Sequence, residues 1–404
     1  MLPATVRGIS APECWTRRER DDRTKPINLL VIRMTLLQKE RETLEQFLPG
    51  LDAKLKEIPL LELEAPASPG LQLFREHGGP GLLVPKEYGG LGASPLEVAQ
   101  INRALGSRSP SLAIATNMHT CTVVAIPPCE STAELLQGIA QNNLYLASGF
   151  ADGRAGTSVL APDMVAEPAS NGWLLSGSKK PCSLSQSMDF LTASVLLPSP
   201  SGNGDQELAL ATIPADTPGI KVLPFTDRWV LAGSETHEIV LDRVEVPNEY
   251  ISYFGNAEEL NSAISKAFLV FELFVSACYL GVASALVERV FAGKKGYPVE
   301  RLSLVIDLEG SMTALEGSAQ MIMRGEDDAD AVAKSLFVRY SVQRAIERVT
   351  AKATELLGGM AFMGSSDVAC LYASARALAF HPPSRMSIAP ALDNYLMGEA
   401  LVMP

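Results

Sequence analysis

The fold of this chain is decided by residues 144–197, which begin with the apolar run LYLA at 144–147 and continue into the loop SGFADGRAGTS at 148–158. A second loop, KPCSLS at 180–185, follows, and the apolar run from Phe190 to Leu197 ends the stretch. The two apolar runs predict β-strands. Because glycine has no Cβ atom, the first loop allows its backbone to approach a ligand closely. We therefore predict a β-rich region that carries a ligand-binding loop.

Strand patterns continue to about residue 254, with apolar residues alternating at 208–214 and 237–247. Apolar residues at helical spacing flank this region on both sides. The predicted helices span residues 34–61 with an interruption at Pro49-Gly50, and 71–77, 95–105, 111–126, 133–141, 267–291, 302–323, 328–357, 367–380 and 387–401. The pattern predicts an N-terminal helical domain at 34–143, a β domain at 144–254 and a C-terminal helical bundle at 255–404.

The composition is that of a globular protein, because 47% of the 404 residues are apolar and 20% are charged. Lys and Arg number 34 against 46 Asp and Glu, a net charge of −12, which excludes nucleic acid as an expected partner. The six cysteines form no C-x-x-C pair, and there are four histidines, so we predict no metal site. Free cysteines fit a reducing cytoplasm.

Two segments need a separate interpretation. Residues 1–33 are rich in Arg and Asp and have no apolar core. We expect them to be disordered, or translation to begin at Met34. Residues 267–286 carry one charge, Glu272, and are long enough to span a bilayer. Their small residues, such as Gly281 and Ala283, favour tight helix packing instead, so we predict a buried central helix and no membrane partner.

Four short motifs and their order resemble the acyl-CoA dehydrogenase family. They are the two loops above, LLVPKEYGGLG at 82–92, and GSET at 233–236 with VEVP at 244–247. The resemblance covers roughly residues 36–401. It implies an α+β fold with a helical bundle, a central antiparallel β-barrel-like domain and a C-terminal four-helix bundle. It also implies FAD as cofactor and a homodimer or homotetramer whose flavin sites span subunits.

The resemblance also implies which residues meet the flavin. They are Phe150, Ala151, Asp152, Thr157, Cys182, Ser183, Glu355, Gly358 and Gly359. Thr157 falls where the family has a serine near the thioester substrate. Several family side chains are replaced: Ala151 and Asp152 stand for Thr and Glu, and Pro181 stands for Trp, while Ser183 keeps a hydroxyl. Much of the family's cofactor site acts through backbone groups, so FAD binding remains expected.

The base that removes the substrate α-proton in this family falls on Pro382, which has neither a carboxylate nor an N–H group. Two other residues are candidates. His381 is one residue away, although a histidine beside two prolines also suits a plain turn. Glu272 lies one residue from an alternative base position, at Phe271, on the long apolar helix. The other interpretation of Glu272 is a buried acid that is paired with an arginine or a hydroxyl.

Three functions therefore stay open. The first is an FAD-dependent oxidoreductase acting on CH–CH groups, which dehydrogenates an acyl thioester of CoA or a carrier protein with Glu272 or His381 as base. It would pass electrons to an electron-transfer partner. The second is a flavin-dependent monooxygenase on the same fold, which uses dioxygen and needs no α-proton base. The third is a non-catalytic partner or scaffold member.

Overall fold

The computed structural model of the protein describes residues 36–153, 161–202, 204–225, 228–256 and 261–403. The predicted extension at residues 1–33 lies outside them. The described chain begins with helices α1 (Gln38–Phe47), α2 (Leu51–Glu57), α3 (Leu60–Leu63), α4 (Pro69–Glu76), α5 (Pro95–Arg108), α6 (Pro110–Val124) and α7 (Ala133–Gln141). The predicted interruption at Pro49-Gly50 separates α1 from α2, and Gly50 there has a φ of 82°, which favours glycine.

Local sequence signals explain where α5 begins. Ser94 precedes the helix, and its hydroxyl accepts a hydrogen bond from the Glu97 N–H at 3.3 Å. The Glu97 carboxylate accepts in return from the Ser94 N–H at 2.7 Å. This reciprocal capping satisfies two amides that the helix itself leaves unpaired, and Pro95 needs no amide partner at the first helical position.

Strands follow in two four-stranded sheets. The strands are β1 (Leu146–Gly149), β2 (Val165–Ala169), β3 (Gly172–Cys182), β4 (Phe190–Pro198), β5 (Gln206–Pro214), β6 (Ile220–Leu223), β7 (His237–Pro247) and β8 (Ile251–Gly255). One sheet has the order β1-β4-β5-β8 and the other β2-β3-β7-β6. The pair β1 and β4 is parallel, with Leu146 opposite Phe190, and the other described pairs are antiparallel. The predicted α+β fold is confirmed, and its barrel-like part consists of two sheets.

Helices return after β8. They are α8 (Ser262–Ala292), α9 (Pro298–Met323), α10 (Ala329–Leu357), α11 (Gly359–Gly364), α12 (Ser366–Ala375) and α13 (Arg385–Leu396). Helix α8 contacts α5, α6, α9, α10 and α12. Among the described residues it is the one helix long and apolar enough to cross a membrane, yet 94% of its most apolar window is buried inside the protein. Its composition is therefore explained by its central position.

Close packing joins α8 to α5. Gly106 and Gly281 face each other, so a Cβ atom on Gly106 would lie 2.1 Å from the Cys278 carbonyl oxygen. A Cβ atom on Gly281 would lie 2.2 Å from the Arg103 carbonyl oxygen. The two backbones approach each other as closely as they do only because both positions lack a side chain.

A buried charge cluster ties α1 and α9 to the same place. Arg103 on α5 is fully buried, and its guanidinium nitrogens lie 2.6 Å from Glu40 Oε1 and 2.7 Å from Glu309 Oε1. Glu40 is buried as well, whereas the Glu309 side chain is 49% exposed. Buried charges such as Arg103 and Glu40 are stable only when paired and hydrogen-bonded. The cluster therefore fixes how α1, α5 and α9 meet.

Several helix predictions differ from the structure. Residues 34–61 form three helices and not two, and the predicted helix 367–380 is α-helical only to Ala375. Helix α11 was not predicted, because Gly358-Gly359 was interpreted as a helix stop, whereas Gly359 begins a new six-residue helix. The last helix ends at Leu396 and not at residue 401. Gly398, at a φ of 98°, adopts a conformation that favours glycine and that a helix cannot contain.

Candidate functional site

The first predicted ligand loop leaves the end of β1 and lies against β3. The Lys180 N–H donates to the Ala151 carbonyl at 2.7 Å, and Lys179 Nζ lies 2.7 Å from Asp152 Oδ1. Lys179 is fully buried, and burial lowers its pKa although Asp152 raises it. The Asp152 carboxylate is thus occupied in holding the loop, which argues against the direct cofactor contact predicted for it. Phe150 is half-buried beside it, and Thr157 lies outside the described residues.

The second loop places two predicted contacts differently. Cys182 is fully buried in the apolar core, and burial raises the pKa of its thiol to about 12. Its side chain therefore faces the core, and the cofactor contact predicted for Cys182 stays a prediction. Ser183, the next residue, is 7% exposed and keeps its hydroxyl near the surface.

A chain of hydroxyl groups fixes the direction of the Ser183 hydrogen. Ser234 Oγ donates to the Leu231 carbonyl at 2.7 Å. Because each hydroxyl has one hydrogen, Thr236 must donate to Ser234 at 2.7 Å, and Ser183 must donate to Thr236 at 2.9 Å. The Ser183 oxygen is therefore left as an acceptor, suited to an N–H group of a ligand.

A cleft of about 510 Å³ lies beside the turn Ala232–Ser234, which carries part of this hydroxyl chain. Its lining includes Glu64, Arg228, Trp229, Phe362, Met363 and Cys370. The Glu64 carboxylate is satisfied, because the Ser111 N–H and hydroxyl donate to it at 3.0 and 2.6 Å. Burial nevertheless raises the pKa of Glu64.

Arg228 has spare hydrogen-bonding capacity toward this cleft. Its Nη2 lies 3.0 Å from His237 Nδ1, while its Nε is buried without a hydrogen-bond partner in the part of the chain that the structure describes. Burial lowers the pKa of Arg228, and burial together with Arg228 lowers that of His237. A guanidinium has five N–H donors and no acceptor, so Arg228 suits an anionic or carbonyl ligand.

Three predicted cofactor contacts, Glu355, Gly358 and Gly359, lie at the end of α10 and differ in their surroundings. Gly358 has a φ of 91°, and no atom lies within 4 Å of the position that a Cβ atom would take there. At Gly359 the nearest atom to that position is Met363 Cε, at 4.0 Å. The Glu355 side chain is 70% exposed and lies 3.6 Å from Lys352. The structure thus does not bring Glu355 to the cleft, and its contact with a flavin of the partner subunit stays a prediction.

Glu272 lies deep between helices, with 1% of its surface exposed. Arg339 on α10 pairs with it: Nη1 donates to Oε2 at 3.3 Å, and Nε lies 3.1 Å from the same oxygen without the alignment of a hydrogen bond. Burial raises the pKa of Glu272 to about 7, although the Arg339 charge lowers it. The predicted pairing with an arginine is therefore present, and Oε1 has no hydrogen-bond partner among the described residues.

His381 lies close to Glu272 through Arg339, whose Nη2 donates to the His381 carbonyl at 3.1 Å. The imidazole Nε2 lies 2.8 Å from the Tyr279 hydroxyl. Burial, aided by the Arg339 charge, lowers the pKa of His381 to about 3. Such an imidazole is a weak base, which does not favour the predicted base role. Pro382 follows it and supplies no carboxylate.

Acid sensitivity follows from two buried neutral histidines. Burial lowers the pKa of His119 to about 4, and its ring nitrogens contact the Pro80 carbonyl and the Leu146 N–H. Between pH 6.5 and 4 the unfolded chain binds protons that the folded chain does not bind at His119 and His381. The stability that these two histidines contribute is therefore fully present above pH 6.5 and falls as the pH falls, by up to about 1.4 kcal/mol per pH unit for each histidine. Glu272, whose pKa burial raises to about 7, offsets part of this loss, because between pH 7 and 4.5 the folded chain binds the extra proton there. Urea unfolding midpoints at pH 7, 6 and 5 measure this.

The matched variant for this prediction is His119→Gln. It should unfold more easily at pH 7 yet show a smaller loss between pH 7 and 5 than the wild type. Equal slopes for the two proteins would assign the acid sensitivity to other groups.

Several residues of the site carry no sequence signal. Arg339 is one of several arginines on α10 and lies 67 positions from Glu272. Arg228 and Trp229 lie in a turn without a motif. Asn117 is fully buried on α6, but that helix also buries Thr116, His119 and Thr120, so its sequence pattern does not single out Asn117.

Comparisons with known proteins agree with this architecture. Residues 45–132 match the model of the acyl-CoA dehydrogenase N-terminal domain. The chain is 44% identical to isobutylamine N-hydroxylase of Streptomyces viridifaciens, over 91% of this chain and 100% of that protein. It is 26% identical to L-evernosamine nitrososynthase of Micromonospora sp., over 81% and 82%. The FMN-bound TdsC of Paenibacillus sp. A11-2 superposes with a TM-score of 0.74 at 18% identity, over 92% and 99%.

N-terminal helices, two sheets and a C-terminal helical bundle define an enzyme of the acyl-CoA dehydrogenase-like class. The chain belongs to the acyl-CoA dehydrogenase family, of which it is a divergent member.

Proposed function

We propose that this protein is a flavin-dependent monooxygenase that hydroxylates the nitrogen of a primary amine. The observation that carries the proposal is the 44% identity to isobutylamine N-hydroxylase, which extends over the whole of that relative. The nitrososynthase relative supports oxidation at nitrogen. Of the functions that the sequence leaves open, the second is therefore favoured over dehydrogenation of an acyl thioester.

The residues around the usual base position support the same choice. Dehydrogenation needs a base that removes the α-proton, and that position is occupied by Pro382. The neighbouring His381 is a weak base, because burial lowers its pKa to about 3. Hydroxylation of an amine requires no such proton removal from carbon, so these features are compatible with monooxygenation.

The chain's own groups fit a flavin. The Ser183 oxygen is an acceptor for a ring N–H, and Arg228 Nε, which has no hydrogen-bond partner among the described residues, suits a phosphate or carbonyl oxygen. The loop Phe150–Gly153, which Lys179 and Lys180 hold, offers further backbone groups. We infer that these residues hold the cofactor, expected as FAD. One protein of similar fold binds FMN.

A reduced flavin supplies the two electrons with which dioxygen and a primary amine give a hydroxylamine and water. One oxygen atom enters the N–O bond, and the other leaves as water. Dioxygen then takes the place of the electron-transfer partner that the resemblance allowed. The protein has to bind the amine, exclude water and hold the nitrogen unprotonated, because only a free lone pair forms the new bond.

A homodimer or homotetramer remains part of the proposal. Four methionines on or beside α11 and α13 expose most of their surface: Met360, Met363, Met386 and Met397. Apolar side chains this exposed are unusual on a surface that faces only water. Since Met363 also lines the cleft, a second subunit that covers Met363 would lie beside the proposed cofactor site.

The test is oxygen incorporation. The purified protein is supplied with FAD, a separate flavin reductant and isobutylamine under ¹⁸O₂, and the product is analysed by mass spectrometry. We expect N-isobutylhydroxylamine that carries one ¹⁸O atom, and no product without dioxygen.

An anaerobic titration with acyl-CoA thioesters is the counterpart experiment. Bleaching of the bound flavin by a thioester, together with no labelled hydroxylamine, would contradict the proposal and restore the dehydrogenase. A folded protein that retains no flavin under either condition would favour the non-catalytic alternative.

A further inference from the structure

An internal polar cluster lies between α6, α8 and α10 and consists of Asn117, Cys121, Glu272 and Arg339. Asn117 is fully buried and Glu272 is 1% exposed. The Cys121 thiol lies 3.7 Å from Asn117 Oδ1. It is also close enough to Glu272 for that charge, after burial, to raise the pKa of the thiol. Direct contacts thus join Cys121 to Asn117 and Arg339 to Glu272, and the charge of Glu272 acts on the Cys121 thiol.

Two polar atoms of this cluster are left without partners among the described residues. They are Glu272 Oε1, an acceptor, and Asn117 Nδ2, a donor. A buried polar atom without a hydrogen bond destabilises a fold by about 1–3 kcal/mol, so natural proteins rarely leave one. A polar ligand beside Glu272 Oε1 would satisfy that oxygen.

We infer that Glu272 Oε1 is the acceptor that binds the nitrogen of a primary alkylamine substrate. This inference rests on the proposed function and assigns its amine site. An ammonium group has only N–H donors, so its binding needs an acceptor, and a carboxylate gives the strong charge-assisted bond. Arg339 engages Oε2 and leaves Oε1 available. The apolar residues of α8 around Glu272 suit the alkyl part.

The same oxygen can take the proton that blocks the nitrogen. An N–H bond of the ammonium breaks, an O–H bond forms at Oε1, and the electron pair of the broken bond stays on nitrogen as its lone pair. No atom is oxidised or reduced in this step. Burial raises the pKa of Glu272 to about 7. Burial also favours the neutral form of the bound amine. The raised pKa of the carboxyl group and the lowered pKa of the amine both favour transfer of the proton from nitrogen to Oε1.

Binding of isobutylamine to the flavin-loaded, oxidised protein tests the inference without relying on turnover. Titration calorimetry compares the wild type with Glu272→Gln, which keeps the shape and removes the charge. We expect the dissociation constant to rise about 30-fold or more, as for loss of a hydrogen bond to a charged group. The uncharged isostere 2-methylpropan-1-ol should bind equally, and weakly, to both proteins.

The matched control is Glu40→Gln, because Glu40 forms the other buried pair with a fully buried arginine, Arg103. It should lower the unfolding midpoint as Glu272→Gln does and leave amine affinity unchanged. If Glu272→Gln does not fold, Glu272→Asp replaces it, since the shorter side chain keeps the charge and withdraws the oxygen. The same loss of affinity is expected.

A folded Glu272 variant that binds isobutylamine within threefold of the wild type overturns the inference, as does a wild type that binds no amine. The labelled-oxygen experiment separates a failure of the proposed function from a failure of the amine site. Amine binding that depends on Glu272 without ¹⁸O in the product refutes the proposed function and keeps the amine site. Labelled product from the wild type with unchanged amine affinity in the variant refutes the site alone.

Discussion

Replacing Arg339 by methionine is expected to destabilise the folded chain by about 3–5 kcal/mol, because it leaves the buried Glu272 carboxylate without its partner. The guanidinium also donates to the Leu378 and His381 carbonyls, both at 3.1 Å. These bonds fasten the turn that contains Pro382 to α10. The substitution therefore removes an ion pair and two backbone anchors together, and urea unfolding measures the loss.

The matched control lies on the same helix. Arg348 pairs with Asp307 at 2.9 Å, but its side chain is 60% exposed, so Arg348→Met should change stability by about 1 kcal/mol or less. Combining Arg339→Met with Glu272→Leu should recover part of the loss, because the largest contribution is the buried unpaired charge. Equal losses from Arg339→Met and Arg348→Met would show that burial does not govern this pair.

The sequence identified Glu272 by its setting but not its partner. An acid alone in a long apolar run must be paired or must have a raised pKa, and the structure shows both. Arg339 was beyond prediction, since helical periodicity indicates which face of α10 is buried but not which distant carboxylate lies against it. Asn117 escaped notice for the same reason. Sequence patterns describe one element at a time, whereas this cluster arises from three.

The fold was predictable to a greater extent than the site. Alternation and helical spacing located β4, β5, β7 and the long C-terminal helices, because each has a regular apolar pattern. The β1 to β4 pairing is parallel, and no local signal sets the direction of a strand pair that is separated by more than 40 residues. Likewise, no local sequence signal indicates that the buried Lys179 pairs with the Asp152 carboxylate.

The contact between α5 and α8 provides the second large effect. Gly281→Ala is expected to destabilise the protein by about 3 kcal/mol, at the upper end of what overpacking costs. The new Cβ atom would lie 2.2 Å from the Arg103 carbonyl oxygen, closer than real Cβ atoms approach backbone. Neither helix can yield by moving a side chain, because the clash is with backbone. The helices must separate, and the fully buried residues of α8 lose contacts on both sides of Gly281.

Gly310→Ala on α9 is the control that isolates this packing effect. It is also a glycine within a long helix, but nothing lies within 4 Å of the Cβ position. Alanine there should stabilise the protein by up to about 1 kcal/mol, because it has the higher helix propensity. Unfolding midpoints in urea therefore should move in opposite directions for the two variants. A Gly281→Ala protein as stable as the wild type would mean that α5 and α8 do not approach through their glycines. The position of Glu272 on the same helix would then need another explanation.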